Sequence, residues 1–520
     1  MGHKIPEISK EEQSPLVLLL LEIIEKQQEE IQVLKDEIAR LKNNPTRPKM
    51  KPSQIGKEEQ KERRREGRSM RRKRKTKDIV IHETVTLEPK ELPEGSKFLW
   101  YREYVVQELV IEPYNIRYQR GIWKTADGRI VRGKLPEGLE GHYGEKLRSY
   151  ILYEYYGMHV SRPLILEHLL EMGFKISSGE IDWILTKRKD EFHKEKEGIL
   201  EEGLSSSSYV VVDDTGARHQ GKNGYCTHIG NELFAYFESS ESKSRVNFLK
   251  VLRGRYTDYV IDKYALCYIQ EHGFSKDRFV LLERSLGKVF EDEKEWQSYL
   301  RRLGILEDRQ VKGVTEGALL GSLISHGVSS ELVVLSDDAR QFDVFLHALC
   351  WVHAERKIDQ IVPINDEEHR LIQEIQDKIW KLYADLKQYK QSPNLDQKIG
   401  LENRFDEIFM RETPFESLNK ALFAIHQNKK ELLLVLKRPE IPLHNNISEN
   451  DIREVVTTQN ISHSTRSDLG RKCRDTFLSL KKTCRKLNIS FSAYLFDRIS
   501  RRNSIPFLPI LIHHYATGVP

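Results

Sequence analysis

The chain has 520 residues, 38% hydrophobic and 31% charged, with a formal charge of +5, which is enough apolar sequence for several cored domains and excludes wholesale disorder. Five cysteines, odd in number and without a C-x-x-C pair, exclude a disulfide scaffold or a cysteine-rich zinc module and fit a reducing cytosol. The longest apolar run, Leu16 to Leu21, is far short of the roughly 20 residues that cross a bilayer, and acidic residues precede it where a signal peptide would be basic, so a cytoplasmic protein with no membrane partner is expected.

Residues 1–45 carry a heptad. Val17, Ile24, Ile31 and Ile38 recur every seven residues, as do Leu20, Gln27, Leu34 and Leu41. Ile at one seam position and Leu at the other predict a parallel two-stranded coiled coil, hence a homodimer, with Gln27 fixing register. Pro45 and Pro48 end it. Residues 46–77 follow as a basic arm: 47–77 hold 15 Lys and Arg against four Glu, a net of +11. Arg63, Arg64, Arg65, Arg71, Arg72, Lys73, Arg74 and Lys75 form the densest part and suit a phosphate backbone, although a solvated linker has the same composition.

From 78 to 138 the texture is that of strands: IVIHETVTL, KFLWYREYVVQELVI and NIRYQRGIW are β-branched and aromatic, and Ala126-Asp127-Gly128 reads as a hairpin turn. Residues 139–200 read as helical. Ser161-Arg162-Pro163 opens one helix that closes at Gly173, and Ser177 with Glu180 forms a capping box for the next. This is a helix-turn-helix layout, with Ser178, Lys187 and Arg188 as candidate DNA contacts, though plain packing uses the same pattern.

The serines 205–208 mark a boundary before the α/β part, 205–363. Tyr209-Val-Val-Val-Asp213-Asp214 reads as a buried strand ending in two carboxylates, 225–229 and 232–237 as two more strands, and Val246 to Leu249 as helix. A segment at about 253–330 resists assignment. Glu331 to Ser336 is another apolar strand, ending in Asp337-Asp338. Helical periodicity fills 364–440, Pro439 and Pro442 stop it, and Asn445-Asn446-Ile-Ser448-Glu449 begins a helix in the final part, 441–520. Carboxylates gathered from two strand tips and a helix start repel one another unless a cation neutralises them. An all-oxygen set suits Mg²⁺ or Mn²⁺, and two such ions suit phosphodiester chemistry. The doublets 213/214 and 337/338 leave the ligand choice open on chemistry alone.

VVVDDTGARHQGKNG, LVVLSDDARQFDVFLHALCWVHAERK, PLHNNISENDIRE and STRSDLGRKCRDTFLSLKKTC together resemble the DDE transposases of bacterial insertion-sequence family 66, over about 140–500. The resemblance implies a ribonuclease H-like catalytic core with a helical insertion before its last helix. It places the catalytic, metal-holding acids at Asp213, Asp337 and Glu449, with Asp214 and Asp338 as lesser candidates, and puts Cys350, His353, Arg356 and Asn446 near the site. It implies two Mg²⁺ or Mn²⁺ ions and double-stranded DNA, both element ends and target, as substrate. Accessory proteins and a nucleoid-associated location go with it. No zinc is expected: relatives often carry a cysteine-rich zinc module after the coiled coil, whereas 78–135 contain no Cys. The basic face of the helix at 471–486, with Arg471, Arg474, Lys481 and Lys482, is a further candidate DNA surface. The implied activity is cleavage and strand transfer. The alternatives are a catalytically silent DNA-binding regulator and a nuclease that cuts without joining.

Overall fold

The computed structural model describes residues 80–89, 96–136, 139, 141–272, 274 and 276–518. The coiled coil at 16–43 and the basic arm lie outside them. The chain divides at Asn115 into two units. In the first, the described residues form neither helix nor strand, and the Tyr101 hydroxyl donates to Glu88 Oε1 at 2.7 Å. In the second, the strands expected before residue 138 reduce to one hairpin, β1 (Ile122–Lys124) and β2 (Ile130–Arg132). Its turn is the expected one, closed by Gly128 N donating to Thr125 O, with Gly128 at φ 85°. The rest of the expected β module is corrected by this. Strand propensity needs a pairing edge and a face to bury, and here Leu87, Trp100, Val106 and Val110 are all exposed.

Four helices follow: α1 (Glu145–Leu152), α2 (Arg162–Glu171), α3 (Ser178–Thr186) and α4 (Asp190–Ser205). The punctuation read from sequence is what terminates them. Gly173 takes φ 87° after α2, and Ser177 Oγ accepts from Glu180 N at 3.2 Å to start α3. Ile151, Leu152, Ile165, Leu169, Ile181 and Leu185 are buried in one core with the sheet.

The sheet has five strands in the order β5-β4-β3-β8-β9. These are β3 (Tyr209–Gly216), β4 (Tyr225–Gly230), β5 (Ala235–Ser240), β8 (Val333–Ser336) and β9 (Leu346–Leu349). The first three form an antiparallel meander, and β8 and β9 add in parallel to β3. Val210, Val211 and Val212 of the central strand are wholly buried, as a strand covered on both faces must be. The strand β5 begins three residues later than expected because Asn231 Oδ1 accepts from Leu233 N and forms a turn there.

Between β5 and β8 the unassigned segment is a helical lobe. It contains α5 (Arg245–Arg253), α6 (Lys263–Glu271), α7 (Lys276–Glu283), α8 (Glu293–Arg302) and α9 (Asp308–Ser325), with a two-residue ladder of β6 (Tyr259–Val260) and β7 (Val289–Phe290). After β9 come α10 (Trp351–Asp359) and the helical insertion, α11 (Asp366–Tyr389), α12 (Leu395–Phe409), α13 (Glu416–His426) and α14 (Lys429–Leu432). The buried Trp351 ring meets Phe405 and Phe409 of the insertion and donates Nε1 to Leu432 O at 2.9 Å, so α10 is fixed by it.

The chain closes with α15 (Asn446–Ser462), α16 (Asp468–Lys486), α17 (Phe491–Ile499) and α18 (Leu508–Thr517). Helix α16 covers the free edge of β5 through side chains spaced four apart. Asp475 Oδ2 accepts from Ser239 N at 2.9 Å, Ser479 Oγ from Phe237 N at 2.9 Å and Thr483 Oγ1 from Ala235 N at 3.1 Å. Four helical residues advance about 6 Å and two strand residues about 6.7 Å, so a helix stripe of Asp, Ser and Thr can stand in for a missing strand. Among the described residues no helix is long and apolar enough to cross a membrane.

Candidate active site

The parallel register of β3 with β8 pairs Val211 with Leu335. Two residues on, Asp213 within β3 and Asp337 just past the end of β8 therefore occupy equivalent positions on adjacent strands, which run about 4.8 Å apart. The doublets resolve by alternation along the chain. Asp214 turns away from Asp213, forms an ion pair with Lys243 and accepts from Gln341 Nε2 at 2.9 Å. Asp338 pairs with Lys357. Asp337 Oδ1 accepts from the backbone N–H groups of Asp338 and Ala339, both at 3.1 Å, which fixes its carboxylate at the strand tip.

Glu449 lies in the first turn of α15, from where its charge acts on Asp213, and the neighbours that hold this turn were not singled out from sequence. His228 of β4 lies directly opposite Asp213 in the ladder. Its Nδ1 is 2.6 Å from Ser448 Oγ and its Nε2 is 3.1 Å from Asp451 Oδ2. Two successive turns of α15 are thus pinned to the strand beside Asp213, with Glu449 between the pins. Burial lowers the His228 pKa, Asp451 opposes that shift, and Lys486 and Lys482 add to it. For Asp451, burial alone would raise the pKa, but the His228 hydrogen bond and the Lys486 and Lys482 charges hold it low. The available signal was a histidine at a buried alternation position of a strand.

The Asp213 pKa is pushed up to about 7. Burial is the main cause, and the charges of Asp337, Asp214 and Glu449 add to it against a backbone hydrogen bond from Asp214. Asp213 therefore feels the charges of both Asp337 and Glu449. Glu449 Oε1 is buried without a hydrogen-bond partner, with His353 Nε2 at 3.7 Å and Arg356 Nη1 at 3.9 Å. Burial, aided by Arg356, lowers the His353 pKa against Glu449 and Asp337, so the imidazole tends to be neutral. Cys350 is fully buried, and desolvation lifts its thiol to about 11, which suits packing rather than reaction. Trp351 N donates to Leu443 O at 3.0 Å, drawing the chain before Asn445 and Asn446 against the start of α10. Asn445 is wholly buried with neither amide atom partnered.

Among the described residues, no group of three or more His, Cys, Asp or Glu side chains converges tightly enough to hold an ion as it stands. The donor chemistry nevertheless fits a hard divalent cation: three carboxylates, one oxygen buried and unpartnered, and one carboxyl whose pKa is raised by burial and by its neighbours' charges.

Of the expected DNA contacts, Ser178, Lys187 and Arg188 are exposed at the two ends of α3. The Arg188 guanidinium lies over the Trp183 ring at 5.5 Å. Residues 63–75 lie outside the described set. The basic face of α16 is corrected. Lys481 is 1% exposed, pairs with Glu454 and donates to the carbonyls of Tyr156 and Gly157. Lys482 reaches Glu454 at 2.9 Å and Asp451 at 3.4 Å. Arg474 bonds Asp475 and Ser239 beneath the β5 edge. These cations neutralise acids inside the protein, and Arg471 pairs with Asp468 at 3.2 Å.

Residues 338–472 match the family described as Transposase IS66 family. The match opens one residue past Asp337 and takes in α10, the helical insertion and the whole of α15 with Glu449. A stretch of 303 residues, 58% of this chain, is 42% identical to an uncharacterised protein, y4jO, of Sinorhizobium fredii (strain NBRC 101917 / NGR234), and covers 94% of that protein.

Proposed function

Because the chain belongs to the IS66 transposase family, which implies DNA binding, we propose that it cleaves DNA at the ends of an insertion sequence and joins those ends to target DNA. What supports this reading is the β3–β8 register that sets Asp213 and Asp337 on adjacent strands, together with an Asp213 raised to about 7 by burial and by the charges of Asp337, Asp214 and Glu449. The strand order β5-β4-β3-β8-β9 supports reading the sheet as a ribonuclease H-like core. Asp213, Asp337 and Glu449 would hold two Mg²⁺ or Mn²⁺ ions, since all-oxygen donors suit hard cations. Bound there, the ions would polarise the scissile phosphodiester and the attacking oxygen.

The protein's own residues set the geometry. The β3–β8 register fixes two of the acids, and His228 fixes the third through Ser448 and Asp451. Arg356 and His353 flank Glu449 and would meet the strand's phosphates, with Cys350 and Asn446 shaping the floor. Water would release a 3′-hydroxyl at the element end, and that hydroxyl would attack a target phosphodiester in line, with no covalent enzyme intermediate. Helices α2 and α3 would dock DNA as a helix-turn-helix, with the basic arm adding affinity. Dimerisation would run through the heptad at 16–43, and accessory proteins would join a cytoplasmic, nucleoid-associated assembly.

The test is labelled DNA carrying the gene's own flanks, incubated with Mg²⁺ and a target plasmid, for wild type and Asp337→Asn. Nicked and joined products from wild type alone, with equal DNA binding by both proteins, support the reading. Cutting without joining would make the protein a nuclease, and binding without chemistry by either would make it a regulator. Equal cutting by both would refute the site.

A further inference from the structure

The hairpin that continues β3 past the acids is docked onto the loop that follows α15, and both carry cations that the fold does not use. At the hairpin tip Gln220 and Gly221 take φ 49° and 78°, and His219 and Lys222 exchange backbone hydrogen bonds at 3.0 and 2.9 Å. Two positive-φ central residues make the tight turn that suits strand twist. The tip is locked to residues 463–467. Thr465 N donates to Arg218 O at 3.2 Å and Gln220 N to Thr465 O at 2.8 Å. His219 Nδ1 is 2.8 Å from Thr465 Oγ1 and its Nε2 is 3.0 Å from Asp468 Oδ1. Lower down, Gln459 Nε2 donates to Gly216 O at 2.6 Å.

The side chains this lock leaves outside are Arg218, Lys222 and Arg466, all exposed. Among the described residues none of the three enters an ion pair, whereas Arg471 and His219 nearby are both committed to Asp468. Three cations on a rigid double loop differ from a mobile lysine fringe, because the backbone ordering is already complete before a ligand arrives. Their position is also informative. Gly216 is three residues beyond Asp213 on the same strand, about 10 Å along it, so the double loop borders the end of the sheet where the acids meet. A carboxylate site that must admit a polyanion needs positive charge at its margin to hold the chain there.

We propose that Arg218, Lys222 and Arg466 form a phosphate clamp that grips the backbone of duplex DNA beside the acidic site; this rests on the transposase reading. The clamp recognises charge and spacing, not base sequence. It is separate from the basic arm and from α3.

The experiment measures affinity for a fluorescein-labelled 30-base-pair duplex of mixed sequence from 50 to 200 mM NaCl, using the full chain. Wild type is compared with R218Q/K222Q/R466Q and with a charge-matched control, K381Q/K430Q/K437Q, on the exposed side of the helical insertion. Each lost phosphate contact lowers the slope of log affinity against log salt by about 0.9, so the clamp variant should lose about 2 to 3 in slope while the control keeps the wild-type slope. Thermal unfolding of the clamp variant should match wild type, since none of the three side chains is buried. Equal slopes for all three proteins overturn the clamp but leave the transposase reading intact if wild type still cleaves. Absence of DNA binding by wild type overturns both.

Discussion

Replacing Asp213 by Asn should stabilise the protein, by an amount that grows as pH rises from about 4 to about 7 and is full above that. An ordinary Asp titrates near 3.8, and in the fold Asp213 titrates near 7. Between those two values the folded state holds a proton that the unfolded chain has released. Stability therefore falls as pH rises through the window from about 4 to about 7, and above 7 the fold carries a charged carboxylate it disfavours. At about 1.4 kcal/mol per pH unit, a gap of about three units amounts to about 4 kcal/mol. Asn keeps the shape and cannot ionise, so the variant escapes this cost. The assay is urea unfolding followed by tryptophan fluorescence, without divalent metal, at pH 5 and pH 8. The variant's advantage over wild type should be several kcal/mol at pH 8 and should shrink by most of that amount at pH 5, where the wild-type carboxyl is already neutral. Adding Mg²⁺ at pH 8 should raise wild-type stability more than that of Asp213→Asn. A difference between the two proteins that is the same at both pH values would refute the claim that burial and like charges strain Asp213.

The placing of Glu449 and the covering of the sheet edge lead to two further expectations. His228→Ala removes the bonds to Ser448 and Asp451 and leaves a buried gap, so it should cost about 2–4 kcal/mol. It should also lower the cleavage rate at unchanged DNA affinity, and His228→Gln should recover part of the rate; a parallel loss of DNA affinity would contradict a positioning role. Asp475→Ala unpairs the half-buried Ser239 N–H and leaves the Arg474 guanidinium with only its bond to Ser239 Oγ, costing about 1–3 kcal/mol. The bared β5 edge should then show as self-association in size-exclusion chromatography.

The parts of the fold legible in the sequence were those whose signal is local. Apolar strand runs ending in paired carboxylates located β3 and β8, and Ser177 with Glu180 located the start of α3. The two strands of the lobe at 253–330 stayed unread because they are two residues each, too short for any periodicity to register. The expected β module failed for the opposite reason: β-branched and aromatic residues announce strands, but pairing depends on an edge and a buried face that composition does not supply. The resemblance brought Asp213, Asp337 and Glu449 together, and pairing partners from distant segments separated each doublet: Lys243 and Gln341 for Asp214, Lys357 for Asp338.

The basic stripe of α16 shows why charge pattern alone misassigns a surface. Its cations look solvent-facing when the helix is read by itself, but their counter-ions sit on α15, which the sequence separates by a loop. Asp451 and Glu454 of α15 together engage Lys481, Lys482, Arg485 and Lys486, and His159 joins them at 3.1 Å from Glu454. Such a network does little for net stability, because desolvating the ions costs about as much as their pairing returns. What it does supply is register. Sliding α15 by one residue would leave several buried charges unpaired at once, a penalty that apolar packing would not impose. Helix α15 is therefore held on its inner side by His228 and on its flank by α16, and the residue whose position depends on both restraints is Glu449.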